Sequence, residues 1–335
     1  MTARAILHTT VLGGGAMGTA LAVIASELDS ARVALWMRDS DHAATVRALR
    51  ENRRLLPGVT IPDRVLITTE IREAVARTDL LILAIPTQFV RKSLTELAAH
   101  IPPAIPVVSA VKGIEIGTGL RPSEIILEVL GPRPVAVLGG PSHAEEFARR
   151  LPCSVVAACP DEAFARSVQH RLTTPRFRVY TSTDRLGVEL AGAIKNIIGI
   201  AAGICDGLGY GDNAVSALIT RGIVEISRFG VACGAQPATF AGLAGIGDLV
   251  ASCTSQHGRN RQVGERLGRG EALPAILSSM NAIAEGVTTT QSVFALSCER
   301  EIEMPIVAEV HAVLFEGKSP TEATNSLMLR PPRGE

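Results

Sequence analysis

The chain carries no excess of either charge, its 33 basic residues balancing 33 acidic ones over 335 positions. Without a net field there is no long-range pull toward nucleic acid or an anionic membrane, so no nucleic-acid partner is expected and any phosphate chemistry must come from local Lys and Arg placement. Cysteine is sparse too. Cys153, Cys159, Cys205, Cys233, Cys253 and Cys298 show neither a C-x-x-C pair nor a His spacing suited to zinc. They read as reduced cytosolic thiols serving as small apolar residues, and no metal is expected. Residues 1–12 lack the basic flank and apolar core of a secretory leader, which points to the cytoplasm. Internal repeats and low-complexity tracts are missing, and only residues 330–335 read as a disordered tail. One stretch, residues 229–247, runs nineteen positions without a charge, long enough to raise the question of a membrane span. Five glycines and Pro237 inside it favour buried helices joined by a turn, so no stable membrane insertion is expected.

What is present begins with Gly13, Gly15 and Gly18, spaced G-x-G-x-x-G directly after the apolar run 8–12. A second strand-like run, 32–37, ends at Arg38 and Asp39, about twenty residues beyond the third glycine, which is the layout of a dinucleotide-binding βαβ unit. The first glycine allows the tight turn, the second lets backbone approach a pyrophosphate, and the third lets the next helix pack close. That helix N-terminus offers N–H groups and partial positive charge to the phosphates.

At this length, with 47% hydrophobic residues, two domains are expected. Strand-like runs at 33–37, 65–68, 80–86, 106–111, 135–138, 154–158 and 178–181 alternate with helical patterns at 20–28, 88–99, 123–130, 144–150 and 161–172. Strand–helix–strand repetition predicts right-handed crossovers and a mainly parallel sheet, with ligands beyond the carboxyl ends of its strands. From residue 184 the strand runs stop and Ala, Gly, Leu and Ile recur at helical spacing. The expected organisation is an α/β Rossmann-type dinucleotide-binding domain over 1–183, followed by an all-α substrate domain over 184–335.

Four clusters carry candidate chemistry. Lys112-Gly113 closes a strand-like run, where the lysine can hold a substrate oxygen or phosphate or simply be solvated. Gly139-Gly140-Pro141-Ser142 ends the next run and offers backbone N–H groups and a hydroxyl, as an ordinary turn also does. Lys195-Asn196 lies inside an aliphatic, glycine-rich helical segment, where an ammonium is costly to bury unless something needs it. Desolvation there lowers a lysine pKa toward the range of a general acid or base. In the fourth cluster, Asp248 follows a glycine turn and can pair with Lys195, hold a substrate hydroxyl or act as an N-cap. Arg259, between Gly258 and Asn260, suits bidentate phosphate binding or a solvated loop.

Taken together these segments resemble the bacterial NAD(P)-dependent glycerol-3-phosphate dehydrogenases nearly end to end. The carriers are Gly13-x-Gly15-x-x-Gly18, residues 111–113, 139–142, 192–196, 217–222, 244–249, 258–261 and 284–286, in the family's order. The resemblance implies reversible reduction of dihydroxyacetone phosphate to sn-glycerol 3-phosphate, a phospholipid precursor, with NADPH or NADH as cofactor. It also implies Lys195 as catalytic acid/base, and Lys112, Gly140, Ser142, Lys195, Asp248, Arg259 and Asn260 as substrate-binding. The cofactor positions are Gly13, Gly15, Ala16, Met17, Gly18, Arg38, Lys112, Ala144, Arg259, Ile283 and Glu285. Ala16 and Met17 depart from the serine and aromatic residue frequent in the family, Gly258 stands where a serine can contact substrate, and His143 replaces an apolar residue. Arg38 can pair with a 2′-phosphate and Asp39 with a ribose hydroxyl, so use of both cofactors with NADPH preferred is expected. The expected assembly is a homodimer. The residues also leave room for a related two-domain dehydrogenase acting on 6-phosphogluconate or a 3-hydroxy acid, and for a nucleotide sensor without turnover. The isolated Lys195 argues against the sensor.

Overall fold

The structure, a computed structural model, describes residues 8–28, 31–280, 283–332 and 334. Residues 1–7, part of the segment read as lacking a leader, and Arg333 and Glu335 of the expected tail lie outside the described residues. The chain forms two compact units. One holds the residues up to Lys112 together with Leu120–Glu189, and the other holds Gly113–Gly119 together with the chain from Leu190 onward.

The first unit is built on eight strands: β1 (His8–Leu12), β2 (Arg32–Trp36), β3 (Val65–Thr68), β4 (Leu80–Leu83), β5 (Val107–Ser109), β6 (Val135–Gly139), β7 (Cys153–Ala158) and β8 (Phe177–Ser182). Their order is β3-β2-β1-β4-β5-β6-β7-β8. Neighbours are parallel except β6 and β7, which run antiparallel. Val11 sits level with Leu35 on one side and Ile82 on the other, so the strand order reverses at β1. That reversal is where sheets of this kind bind ligands.

Helices of this unit are α1 (Ala16–Ala25), α2 (Ser40–Leu49), α3 (Ile71–Val75), α4 (Thr87–Leu97), α5 (Pro122–Leu130), α6 (Ala144–Phe147) and α7 (Glu162–Leu172). Successive strand residues point to opposite faces, and here both faces are covered. Val11, Leu80 and Ile82 join a core with Leu21, Ile24 and Val168, whereas Leu12, Leu81 and Leu83 join a second core with Val90, Leu94 and Ile125. This double burial is why the strands read as continuous aliphatic runs. The expected helix at 161–172 starts one residue later because the Asp161 side chain caps it, accepting from Ala163 and Phe164 N–H. Helix α1 begins at Ala16, ahead of the expected residue 20. Helices α2 and α3 went unpredicted, since α2 buries only Ala43 and Val46 and so shows little apolar periodicity.

The second unit is helical: α8 (Arg185–Gly207, its first turn belonging to the first unit), α9 (Asp212–Ala232), α10 (Pro237–Phe240), α11 (Asp248–Thr254), α12 (Arg259–Gly268), α13 (Leu273–Ser279), α14 (Glu285–Glu299), α15 (Pro305–Phe315) and α16 (Pro320–Met328). The uncharged stretch 229–247 resolves into the end of α9, a turn, α10 and a π-helical turn at Leu243–Gly247, as the glycines and Pro237 require. Among the described residues only α8 is long and apolar enough to cross a membrane, and 94% of its most apolar window is buried.

Glu225 on α9 is buried and its carboxylate accepts the backbone N–H groups of Ile306 (2.7 Å) and Val307 (3.3 Å) at the start of α15. Burial pushes its carboxyl up to about 7, against the pull of those N–H groups. Because the folded pKa lies above the unfolded 4.5, stability is fully present below 4.5 and is lost as pH rises through 7. The loss is about 3 kcal/mol at 1.36 kcal/mol per unit. Urea unfolding at pH 5 and pH 8 should therefore show Glu225→Gln losing about 2.5 kcal/mol less than wild type over that interval, part of the effect being already spent at pH 5. Equal losses in the two proteins would remove Glu225 as the cause.

Candidate active site

The first unit presents a glycine turn at the end of β1. Gly13 has φ +118°, and a Cβ there would lie 2.6 Å from the Ala84 carbonyl oxygen. A Cβ on Gly18 would sit 1.9 Å from the Gly13 oxygen, so both positions must be glycine for α1 to pack on the sheet. Gly15 differs: nothing lies within 4 Å of its would-be Cβ. It caps α1 without any side-chain hydrogen bond, and the first-turn N–H groups, those of Ala16 and Met17 among them, have no intrahelical acceptor. Open space in front of free N–H groups at a helix N-terminus fits a dinucleotide pyrophosphate.

Arg38, just past β2, is exposed and makes no hydrogen bond or ion pair among the described residues. Asp39 is committed elsewhere, its carboxylate accepting the His42 N–H (2.9 Å) as the cap of α2. That bond holds its carboxyl below the usual carboxylate range. At the ends of β5 and β6, Lys112 Nζ donates to the Gly140 carbonyl (3.1 Å) and to Ser142 Oγ (3.5 Å), while Ser142 Oγ donates to the same carbonyl (3.0 Å). Lys112, Gly140 and Ser142 thus form one cluster, with Ala144 opening α6 behind His143.

The second unit holds the other cluster. Lys195 on α8 is only 6% exposed and Asn196 is 8% exposed. An ammonium buried that deeply needs a partner, and it has one: Lys195 Nζ is ion-paired with the carboxylate of Asp248, itself 1% exposed. Nζ also donates to Ser252 Oγ at 2.8 Å. Asp248 is the first residue of α11, capped by Gly247, so its carboxylate serves the lysine instead of an N-cap. Asp248 and Ser252 are one turn apart and share a helix face. The π-helical turn delivers them: the Gly247 N–H donates to the Gly242 carbonyl five residues back (3.2 Å). A Cβ on Gly245 would fall 2.1 Å from the Phe240 oxygen, so the chain there tolerates only glycine. Ser252 was not among the residues expected from sequence. Its one signal is the i, i+4 spacing from Asp248, which any helical serine could show.

At the start of α12, Gly258 caps the helix without a side-chain hydrogen bond. Exposed Arg259 spends one N–H on the Ile283 carbonyl (3.0 Å), which leaves the rest of its guanidinium fork to a ligand. Asn260 Oδ1 accepts the Gly286 N–H (2.9 Å) in the first turn of α14, beside Glu285. Its oxygen is occupied, so what it has to offer an anion is its amide N–H groups.

A chain that can seat a pyrophosphate on one unit and keeps an ammonium buried against a carboxylate in a helical unit has the equipment of a nicotinamide-dependent dehydrogenase. Comparison with known proteins narrows the class. Residues 8–165 match the family profile described as NAD-dependent glycerol-3-phosphate dehydrogenase N-terminus, and residues 184–325 match that of the C-terminus. Glycerol-3-phosphate dehydrogenase [NAD(P)+] of Chlorobium limicola is 48% identical over 332 residues, covering 98% of this chain and 99% of the relative. That of Koribacter versatilis is 44% identical over 325 residues, covering 96% of each. The crystal structure of glycerol-3-phosphate dehydrogenase from Coxiella burnetii superposes with a TM-score of 0.93 at 35% identity, over 97% of this chain and 99% of that one. The chain belongs to the NAD-dependent glycerol-3-phosphate dehydrogenase family, and it is an oxidoreductase using NAD(P)(H).

Proposed function

We infer that the protein catalyses reversible hydride transfer between NAD(P)H and dihydroxyacetone phosphate, yielding sn-glycerol 3-phosphate for phospholipid synthesis. The observation that carries this reading is the Lys195–Asp248–Ser252 cluster, a buried ammonium held by two side chains. Bound NADPH or NADH supplies the hydride. As C2 of the substrate is reduced, Lys195 donates a proton to the oxygen on C2, and in reverse it accepts that proton. Asp248 and Ser252 hold the ammonium in position. Lys112 and Asn196 steady the polarised oxygen, with Gly140 and Ser142 supporting Lys112. Arg259 and Asn260 take the phosphate dianion at the N-terminus of α12. Gly13, Gly15, Ala16, Met17, Gly18, Arg38, Ala144, Ile283 and Glu285 serve the cofactor, with Lys112 and Arg259 touching both ligands. We assign the dinucleotide-binding domain to residues 1–183 and the helical substrate domain, which carries Lys195, Arg259 and Asn260, to residues 184–335. An assay at 340 nm with phosphorylated and unphosphorylated ketones tests the reading. Turnover of an unphosphorylated ketone as efficient as that of dihydroxyacetone phosphate would sink it.

NADPH is the preferred cofactor in this proposal, because Arg38 is unengaged while Asp39 is tied to α2. Removing a charge-assisted contact to the 2′-phosphate costs about 1.5 to 3 kcal/mol, and NADH has no such group. Arg38→Ala should therefore raise KM for NADPH by roughly 10- to 150-fold and spare NADH. Equal changes for both cofactors would show that Arg38 does not read the phosphate.

The proposed location is the cytoplasm, in keeping with six free cysteines, and the proposed assembly is a homodimer. Sedimentation equilibrium reads the mass directly.

A further inference from the structure

In the second unit, helices α8, α9, α15 and α16 line a partly open cavity of about 550 Å³ that Lys195, Asp248 and Ser252 do not line. Its walls are largely aliphatic, with Ile204, Leu218, Val310 and Leu327 each contributed by a different one of those helices. The volume lies within the range of small-molecule sites, about 300 to 1,000 Å³, which are typically apolar with a few placed polar groups.

The charged groups around this cavity are nearly all spoken for. Arg330 is ion-paired with Glu303, and Arg228 donates to the Glu303 carbonyl at 2.6 Å. Glu309 pairs with Lys318. Glu225 is occupied by the N–H groups of Ile306 and Val307. Arg221 alone of these groups has no hydrogen bond or ion pair among the described residues, although it lines the same cavity. An arginine fork left over beside an aliphatic hollow is complementary to one kind of molecule: an anion carried on an alkyl chain.

We propose that this cavity is a binding site for a single-chain anionic amphiphile, its chain among the aliphatic walls and its carboxylate or phosphate on Arg221. The ligand is a small molecule, not a second copy of the chain, because the unengaged feature is a single guanidinium, while Arg228 and Glu225 are held by backbone groups and Glu303, Glu309 and Arg330 by ion pairs.

Isothermal titration of the full chain with decanoate, decyl phosphate and decyltrimethylammonium, each below its micelle concentration, tests the proposal. At least one of the two anions should bind saturably at a single site, at least about tenfold tighter than the cation. Which of the two binds tighter identifies the headgroup as carboxylate or phosphate. Arg221→Ala should weaken anion binding at least about tenfold. Ala217→Trp, which fills the cavity from the exposed side of α9, should abolish it. Both positions are exposed, and thermal melts of both variants verify folding. Three outcomes overturn the proposal: no saturable binding of either anion, equal binding of anion and cation, or wild-type anion affinity in folded Arg221→Ala. A further overturning result is loss of dimer mass in Ala217→Trp with no amphiphile bound by wild type, which assigns the cavity to contact between copies.

Discussion

Lys195→Met is expected to lower kcat with dihydroxyacetone phosphate by roughly 10² to 10⁴ while leaving NADPH binding nearly intact, the usual worth of a positioned acid. The structure adds a second effect. Asp248 is 1% exposed and loses its cation, and breaking a buried pair from one side costs about 3 to 5 kcal/mol because a charge is left without a partner. Lost activity could then reflect lost folding. The double variant Lys195→Met/Asp248→Asn separates the two, because it removes the stranded carboxylate. It should recover most of the melting temperature and none of the turnover. If folded Lys195→Met keeps more than about a third of wild-type kcat, the acid is another group.

Arg259→Ala should lower kcat/KM for dihydroxyacetone phosphate by about 10- to 150-fold, the equivalent of 1.5 to 3 kcal/mol for a charge-assisted contact. The side chain is exposed at a helix N-terminus and spends only one N–H on the Ile283 carbonyl. Lysine should substitute poorly although it keeps the charge, since it lacks the planar fork. Unphosphorylated dihydroxyacetone is the control. It has no dianion to lose, so its weak turnover should be nearly unchanged and the preference for the phosphorylated substrate compressed. Both must be compared at saturating NADPH because Arg259 is also assigned to the cofactor. Equal depression of both substrates there would move the phosphate site elsewhere, with Lys112 the next candidate.

The parts of this molecule that could be read from its sequence are those where one residue type has one physical reason to be present. Glycines 13 and 18 are forced by backbone clashes under 3 Å, and the aliphatic strands by burial on both faces. Lys195 stood out because an ammonium amid aliphatic residues needs a partner. Its pairing with Asp248 was one of three open options. The structure chose it by placing Gly247, not Asp248, at the cap of α11. Asp39 went the other way: a ribose contact and a helix cap look alike in sequence, and the His42 N–H takes the carboxylate. Ser252 carried no distinguishing mark beyond its spacing from Asp248, because serine is common on helices and its meaning comes only from what faces it. The amphiphile cavity was equally invisible, being made by two helix pairs, α8 with α9 and α15 with α16, that lie far apart in the chain.

The π-helical turn at Leu243–Gly247 has a consequence for how this family can vary. An α-helix advances each residue by about 100°, and the wider turn inserts one residue's worth of rotation just ahead of Asp248. The direction in which Asp248 and Ser252 point is therefore set by the number of residues between Phe240 and α11 more than by their identity. Buried Ala244 and the glycine at 245 limit which side chains fit that segment, and its length is limited as well. A single insertion or deletion there would swing the carboxylate away from the ammonium while every residue of the proposed catalytic set was still present.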